Sequence, residues 1–111
     1  MADNKTTVYL AGKITGDPNY RKKFERARKE LERAGYIVLD PSILPPTGFE
    51  YAAYIRMSTA MLYECAAVCL LPDWIDSQGA MCEKWQALTL GKIIFNFDDW
   101  RRKHGGERSG E

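Results

Sequence analysis

Short apolar segments alternate with longer amphipathic segments along this chain. The apolar segments are rich in β-branched and aromatic residues, and they predict four strands, at 8–11, 36–39, 66–71 and 93–95. Between them, apolar residues recur at the spacing of a helix surface and predict helices at 20–34, 49–64 and 80–90. Glycines and prolines punctuate the connections, among them Gly35 and Gly91 after two of the helices.

Strands that alternate with helices predict βαβ units, and hence a parallel sheet covered by helices on both faces. We therefore expect an α/β fold, a flavodoxin- or Rossmann-like three-layer sandwich with a small parallel sheet of about four or five strands. Right-handed crossovers bring every strand-to-helix loop to the same edge of such a sheet. In a flavodoxin-like strand order, the loops after the first and third strands flank the crevice in which ligands bind.

Length and composition predict one domain with a core of its own, at 1–98, because the chain has 111 residues and 45% of them are hydrophobic. Residues 99–111 are polar and rich in glycine, and they predict a flexible tail. The 16 Lys and Arg nearly balance the 15 Asp and Glu. This balance predicts neither duplex nucleic acid nor a membrane surface as a partner.

The three cysteines, Cys65, Cys69 and Cys82, form no Cys-x-x-Cys pair, so we expect buried, reduced thiols and neither a zinc site nor disulfides. The N-terminal residues contain no apolar export segment. No apolar run approaches the ~20 residues of a membrane span. We therefore expect a cytoplasmic protein, and nothing in the sequence calls for a metal or another cofactor.

The loop after the first strand contains Gly12 and Gly16, which allow the backbone to approach a ligand closely. The helix that follows offers backbone N–H groups to an anion, and Lys13 and Thr15 add a charge and a hydroxyl. The loop lacks the Gly-Lys-Ser/Thr of a Walker loop and the third glycine of a dinucleotide fingerprint. Taken alone, these residues are explained more simply by a tight strand-to-helix turn.

The loop after the third strand ends in Ser-Gln-Gly-Ala-Met-Cys-Glu, residues 77–83. Ser77 and Gly79 can hold a sugar or phosphate there, with Glu83 aimed at it. On the simpler interpretation Ser77 caps the helix, Gly79 turns the chain, and Glu83 complements the helix dipole. If Glu83 faces the crevice, we expect the helix N-terminus to keep it ionised. An ionised carboxylate can attack the anomeric carbon of a nucleoside.

Aromatic side chains near both loops are candidates for stacking on a nucleobase. Tyr9 leads into the first loop, where packing in the core is an equal alternative. Trp74 lies in the second loop, and a large apolar side chain there covers either a ligand or a partner subunit. Tyr51, Tyr54 and Met61 lie on the second helix at spacings that suit a core or a dimer face.

Residues 9–16, Tyr-Leu-Ala-Gly-Lys-Ile-Thr-Gly, together with 77–83, resemble the nucleoside 2-deoxyribosyltransferase superfamily. The branch that the chain looks like is the small phage and bacterial domains of unknown function called DUF4406; the 2-deoxynucleoside 5′-phosphate N-hydrolases are a related branch. The resemblance covers residues 7–96, and Leu-Leu-Pro-Asp-Trp at 70–74 strengthens it. It implies that Glu83 is the nucleophile, that Ser77 contacts phosphate, and that the glycine loop lines the sugar-phosphate pocket. It also implies a homo-dimer or homo-tetramer in which a neighbour completes each site.

Two positions depart from the pattern of this superfamily. Relatives commonly carry aspartates that orient or protonate the base where this chain has Ser58 and Ala66. General acid catalysis is worth roughly 10²–10⁴ in rate, so their loss puts leaving-group activation in question. Asp73 or Asp76 is a substitute, unless each is a solvated loop residue. His104 lies in the predicted tail and is a poor candidate.

The sequence therefore predicts an enzyme that hydrolyses the N-glycosidic bond of a nucleoside or nucleotide, or transfers its deoxyribosyl group, through a glycosyl-enzyme on Glu83. The alternative is a module that binds or sequesters a nucleotide or nucleotide signal without turnover, which the missing carboxylates favour. A structural interaction domain ranks third, and it predicts no melting-temperature shift with nucleotides.

Overall fold

Four parallel strands form the sheet of the computed structural model, which describes residues 6–105. They are β1 (Thr7–Ala11), β2 (Ile37–Leu39), β3 (Ala67–Leu70) and β4 (Ile93–Asn96). Their order in the sheet is β2-β1-β3-β4. In the register, Val8 lies opposite Val38 on one side and Ala67 on the other. The predicted α/β fold with a parallel sheet is confirmed, and of the two expected arrangements the structure has the flavodoxin-like one, with β1 and β3 neighbours at the point where the order reverses.

Helices connect consecutive strands and cover both faces of the sheet. The long ones are α1 (Tyr20–Arg33), α2 (Tyr51–Glu64) and α3 (Gln78–Thr89), and a short α4 (Phe97–Trp100) follows β4. Single 3-10 turns form at Pro41–Ile43 and at Trp74–Asp76, in segments predicted as loops. Among the described residues, no helix is both long enough and apolar enough to cross a bilayer.

Helix α3 begins at Gln78 rather than at the predicted Ala80, because Ser77 caps it. The Ser77 hydroxyl oxygen accepts a hydrogen bond from the backbone N–H of Ala80 at 3.1 Å. This bond satisfies one of the donors that a helix leaves free in its first turn. Gly79 is consequently part of the helix and not of the preceding loop.

The strands divide their side chains between two separate core layers, since successive residues of a strand point to opposite faces. One layer packs β1 and β3 against α1 and α4, and it contains Val8, Leu10, Phe24, Ala27, Leu31, Ala67, Cys69, Leu71, Phe97 and Trp100. The other packs them against α2 and α3, and it contains Tyr9, Ala11, Leu62, Cys65, Val68, Leu70, Ala80 and Ala87. Tyr9 thereby faces α3, a consequence of its position in the alternation of β1.

Part of the C-terminal segment that the sequence predicts to be a tail packs against the core. Trp100, assigned to the polar tail, is only 8% exposed, because its ring stacks on Phe97 and meets Tyr36 edge-on. Trp100 therefore belongs to the core layer of α1 and α4. A π-helical turn continues to Gly105, with His104 against Trp100. The rest of the predicted tail, 106–111, lies outside the described residues, and its flexibility stays a prediction.

The three cysteines differ in environment. Cys65 and Cys69 are buried, as predicted, and burial raises the pKa of the Cys65 thiol to about 11. The prediction was wrong for Cys82, which is exposed because α3 turns this position outward.

Gly12 is required for close packing at the end of β1. A Cβ added there would lie 2.9 Å from Cδ1 and 3.0 Å from Cβ of Leu71. We expect Gly12→Ala to lower the free energy of unfolding by about 1–3 kcal/mol, since Leu71 is fully buried and must move. Urea denaturation measures the effect.

Gly79→Ala is the matched control, since its added Cβ has Ser77 Oγ at 3.8 Å as nearest neighbour and lies within a helix. We expect it to be neutral or stabilising by up to ~1 kcal/mol. Equal losses in the two variants would contradict the assignment of Gly12 to packing.

Candidate active site

A cavity of about 510 Å³ lies at the carboxyl edge of the sheet, where the loops after β1, β2 and β3 meet. Its polar lining comes from the loop after β1, from α2, and from the start of α3: Gly12, Lys13, Thr15, Ser58, Asp76, Ser77, Gln78, Gly79 and Glu83. Its aromatic and apolar lining comes mainly from the segment after β2 and from α2: Ile14, Tyr20, Pro41, Leu44, Pro45, Pro46, Tyr51, Tyr54 and Ile55.

The hydrogen bond between Tyr9 and Glu83 joins the sheet to α3 on the wall of this cavity. The Tyr9 hydroxyl donates to Oε2 of Glu83 at 2.6 Å. Tyr9 is fully buried, so its hydroxyl requires a partner within the protein. Glu83 lies on the helix face that packs against the layer containing Tyr9. The two residues, 74 positions apart in sequence, therefore form one polar unit.

Burial raises the pKa of Glu83 from its ordinary value of 4.5 to about 7. The Tyr9 hydroxyl and then the Ser58 hydroxyl act against this shift, because both stabilise the ionised carboxylate. The expectation that the helix N-terminus keeps Glu83 fully ionised was wrong. Glu83 lies in the second turn of α3, where the effect of the helix dipole has faded, and burial outweighs it.

The Tyr9 hydroxyl is correspondingly difficult to ionise. Burial raises its pKa well above the ordinary 10.0, and the neighbouring Glu83 carboxylate raises it further. Tyr9 therefore remains a neutral donor at physiological pH. Of the two interpretations of Tyr9 left open by the sequence, the structure favours core packing, because the ring is buried and the hydroxyl donates to Glu83.

The two loop carboxylates named as substitutes for the missing acid differ in position. Asp76 lines the cavity. Asp73 is turned away from it, accepting a hydrogen bond from the backbone N–H of Lys13 at 3.0 Å and forming an ion pair with Lys23. Of these two, only Asp76 can reach a ligand in the cavity.

Comparison with known proteins agrees with this architecture. The model of the domain of unknown function DUF4406 matches residues 6–96. The chain belongs to the DUF4406 family. One of the solved structures that it resembles is a 2-desoxiribosyltransferase from Leishmania mexicana, with 21% sequence identity and a TM-score of 0.66. The match covers 82% of this chain and 63% of that one, so the chain spans less than two thirds of that protein. The likeness shows a shared α/β fold. No curated protein matches the chain.

Most residues predicted for the site of this DUF4406 domain line the cavity described above. These are Tyr9, Gly12, Lys13, Thr15, Ser77, Gly79 and Glu83. Gly16 does not line the cavity; it lies in the turn before α1, where its φ is 85°. Trp74 is also absent from the lining, because it packs against the core layer under α3, with the Lys84 ammonium 4.7 Å from its ring centroid. Neither of these two residues lies where a ligand in the cavity would touch it.

Ser58 and Ala66, the two positions where the resemblance implied aspartates, lie in different parts of the structure. Ser58 lines the cavity beside Glu83, whose carboxylate its hydroxyl stabilises. Ala66 lies at the amino edge of the sheet, where its N–H bonds to the Thr7 hydroxyl oxygen at 2.8 Å. An aspartate at 66 would therefore be at the opposite edge from this chain's cavity, and only the substitution at Ser58 bears on its chemistry.

Sequence reasoning missed the aromatic and proline-rich part of the lining. In the sequence, the three prolines between Pro41 and Gly48 indicate only a loop, whereas in the structure they line the cavity near the start of α2. Tyr51 and Tyr54 were assigned to a core or a dimer face, but both line the cavity. Met61 does pack against the core. The one available signal was the density of prolines and tyrosines around 41–54.

Removal of the Tyr9 hydroxyl is predicted to raise the pKa of Glu83 above about 7, since burial then acts with less opposition. Tyr9→Phe with carboxyl ¹³C NMR titration measures this shift. Tyr63→Phe, on the exposed side of α2, is the control and leaves the titration unchanged. An unchanged or lower pKa in Tyr9→Phe would refute the assigned role.

The raised pKa of Glu83 also predicts a pH dependence of stability. Between pH 4.5 and about 7 the folded state binds more protons at Glu83 than the unfolded state does. The free energy of unfolding therefore falls as the pH rises through this window. We expect Glu83→Gln to remove that fall in urea denaturation series, whereas the exposed Glu64→Gln retains it. Parallel pH profiles for wild type and Glu83→Gln would count against the shift.

Proposed function

We propose that this protein cleaves the N-glycosidic bond of a nucleoside or nucleotide, with Glu83 as the nucleophile. The observation that carries the proposal is the hydrogen bond from the Tyr9 hydroxyl to Glu83, 2.6 Å long, on the wall of a cavity of about 510 Å³. An oriented, largely desolvated carboxylate beside a space of that size is what attack on a sugar carbon requires.

The two kinds of lining suit the two halves of a nucleoside. Aromatic and proline side chains, among them Tyr51 and Tyr54, offer apolar faces to a planar base. Hydroxyl and backbone N–H groups near Ser77 and Gly79, with Lys13, offer partners to a sugar or its phosphate. A ligand with one planar apolar end and one hydroxylated end fits this division.

In the first step a carboxylate oxygen of Glu83 forms a bond to C1′ while the bond from C1′ to the base nitrogen breaks. The electron pair of that bond leaves with the base, which takes up a proton. Since Tyr9 binds Oε2, the attack falls to Oε1. Water, or the nitrogen of a second base, then attacks C1′ and releases the carboxylate, so the same ester leads to hydrolysis or to transfer.

The leaving base takes its proton from water or from Asp76, an exposed carboxyl group that lines the cavity together with Glu83. The likeness to a 2-desoxiribosyltransferase supports the general kind of activity, through the fold alone. A Glu83 pKa of about 7 makes the nucleophile more basic than an ordinary carboxylate, and ionised in part at neutral pH.

Glu83→Gln tests the proposal directly, because the amide cannot form the ester. Wild type is incubated with deoxynucleosides and their 5′-monophosphates, with and without a second base, and free base is measured by chromatography. We expect base release to fall by roughly 10³-fold or more in Glu83→Gln, as loss of a nucleophile does. In wild type, release should decline as the pH is lowered through about 7, because the carboxylate is protonated.

Glu64→Gln is the control and retains the wild-type rate, since Glu64 is exposed at the end of α2. Base release that survives in Glu83→Gln would remove Glu83 from the mechanism. A nucleotide that binds tightly and is recovered intact would favour the non-catalytic binding module instead.

A further inference from the structure

Lys23, near the start of α1, binds both of the loops that carry the polar lining of the cavity. Its ammonium donates to the Lys13 carbonyl oxygen at 2.8 Å and to Oδ2 of Asp17 at 2.6 Å, both in the loop after β1. It also donates to Oδ2 of Asp73, in the loop after β3. An ammonium has three N–H donors, so each of them has an acceptor. Asp73 is the partner from the second loop.

Asp73 ties the same two loops together a second time. Its Oδ1 accepts the backbone N–H of Lys13 at 3.0 Å, while its Oδ2 accepts from Lys23. The N–H and the C=O of Lys13 are thus both bound by this pair of side chains. Lys13 lines the cavity, whereas Lys23 and Asp73 do not.

The backbone hydrogen bonds that the loop makes within itself do not supply this connection. They run from Asp17 N–H to the Ile14 carbonyl oxygen and from Tyr20 N–H to the Asp17 carbonyl oxygen, each 3.2 Å. They close turns inside the loop and leave its distance from the second loop unspecified. Asp73, by contrast, comes just before the Trp74–Asp76 turn and the capping Ser77, both adjacent to the cavity.

We propose that Lys23 and Asp73 form a latch that holds the loop 12–16 against the start of α3 and so sets the shape of the substrate site. Both are positioning residues that act through Lys13 and its neighbours. The kinetic consequence rests on the proposed function, whereas the latch itself is a property of the folded protein.

The latch predicts a specific split in kinetic effects. Glu83 is held by Tyr9 and by α3, neither of which the latch touches. Loosening the first loop therefore weakens substrate binding while the attacking carboxylate stays in place. Loss of an interaction shared by bound substrate and transition state raises KM and leaves kcat unchanged.

Asp73→Ala and Lys23→Met test the latch in the full chain by amide hydrogen exchange without any ligand. We expect exchange at Lys13 and Asp17, the amides of this loop whose N–H groups are hydrogen-bonded, to accelerate at least about tenfold in both variants, with α3 unchanged. Asp73→Asn should give a smaller effect, because its remaining carbonyl oxygen can still accept the Lys13 N–H. Lys29→Met, on the same helix but paired with Glu25 at 3.4 Å, is the matched control and leaves the loop unaffected.

The kinetic arm measures base release for the same variants. We expect KM to rise by about tenfold and kcat to stay within about twofold of wild type. Wild-type exchange rates at Lys13 and Asp17 in both variants would overturn the latch. Accelerated exchange with an unchanged KM, or with a loss confined to kcat, would overturn its role in substrate positioning. If wild type releases no base, the proposed function fails, and the exchange measurement still decides whether the latch exists.

Discussion

The contact between Tyr9 and Glu83 connects the central strand of the sheet to the helix that carries the proposed nucleophile. Each residue has a reason to need the other. Tyr9 is fully buried, so its hydroxyl requires a hydrogen-bond acceptor, and Glu83 is desolvated, so its negative charge requires a donor. Their hydrogen bond of 2.6 Å meets both needs at the carboxyl edge of the sheet. The orientation of the carboxylate in the cavity follows from it.

This contact depends both on the alternation of side chains along β1 and on the residue at which α3 begins. Alternation along β1 turns Tyr9 toward the layer of α2 and α3, and the start of α3 at the Ser77 cap sets which of its residues face the sheet. A helix beginning at Ala80 would leave Gly79 and Ser77 in a loop. The capped helix instead places Ser77, Gly79 and Glu83 together on the cavity lining.

The cavity combines a rigid part with a part that depends on ion pairs. Glu83 and Tyr9 belong to elements held by the two core layers, whereas residues 12–16 connect a strand to a helix and have few internal hydrogen bonds. Lys23 and Asp73 are each about one-quarter exposed, so their pair is only partly screened by water. In the proposed function the nucleophile belongs to the first part and the substrate-binding loop to the second, so that reactivity and binding can vary separately.

The elements of the fold follow from local patterns, and the sequence by itself determined them: apolar periodicity placed the strands and long helices to within a few residues, and their alternation determined that the sheet is parallel. The motif residues of both glycine loops also predicted that the site lies at the carboxyl edge of the sheet. Four features were decided only by the tertiary structure. The pKa of Glu83 depends on how many neighbours exclude water from it, and no local pattern encodes that number. Trp100 enters the core through Phe97 and Tyr36, although its surroundings in sequence are polar. The proline and tyrosine wall, and the separation of Asp73 from Asp76, arise where segments distant in sequence meet, and such meetings depend on packing rather than on periodicity.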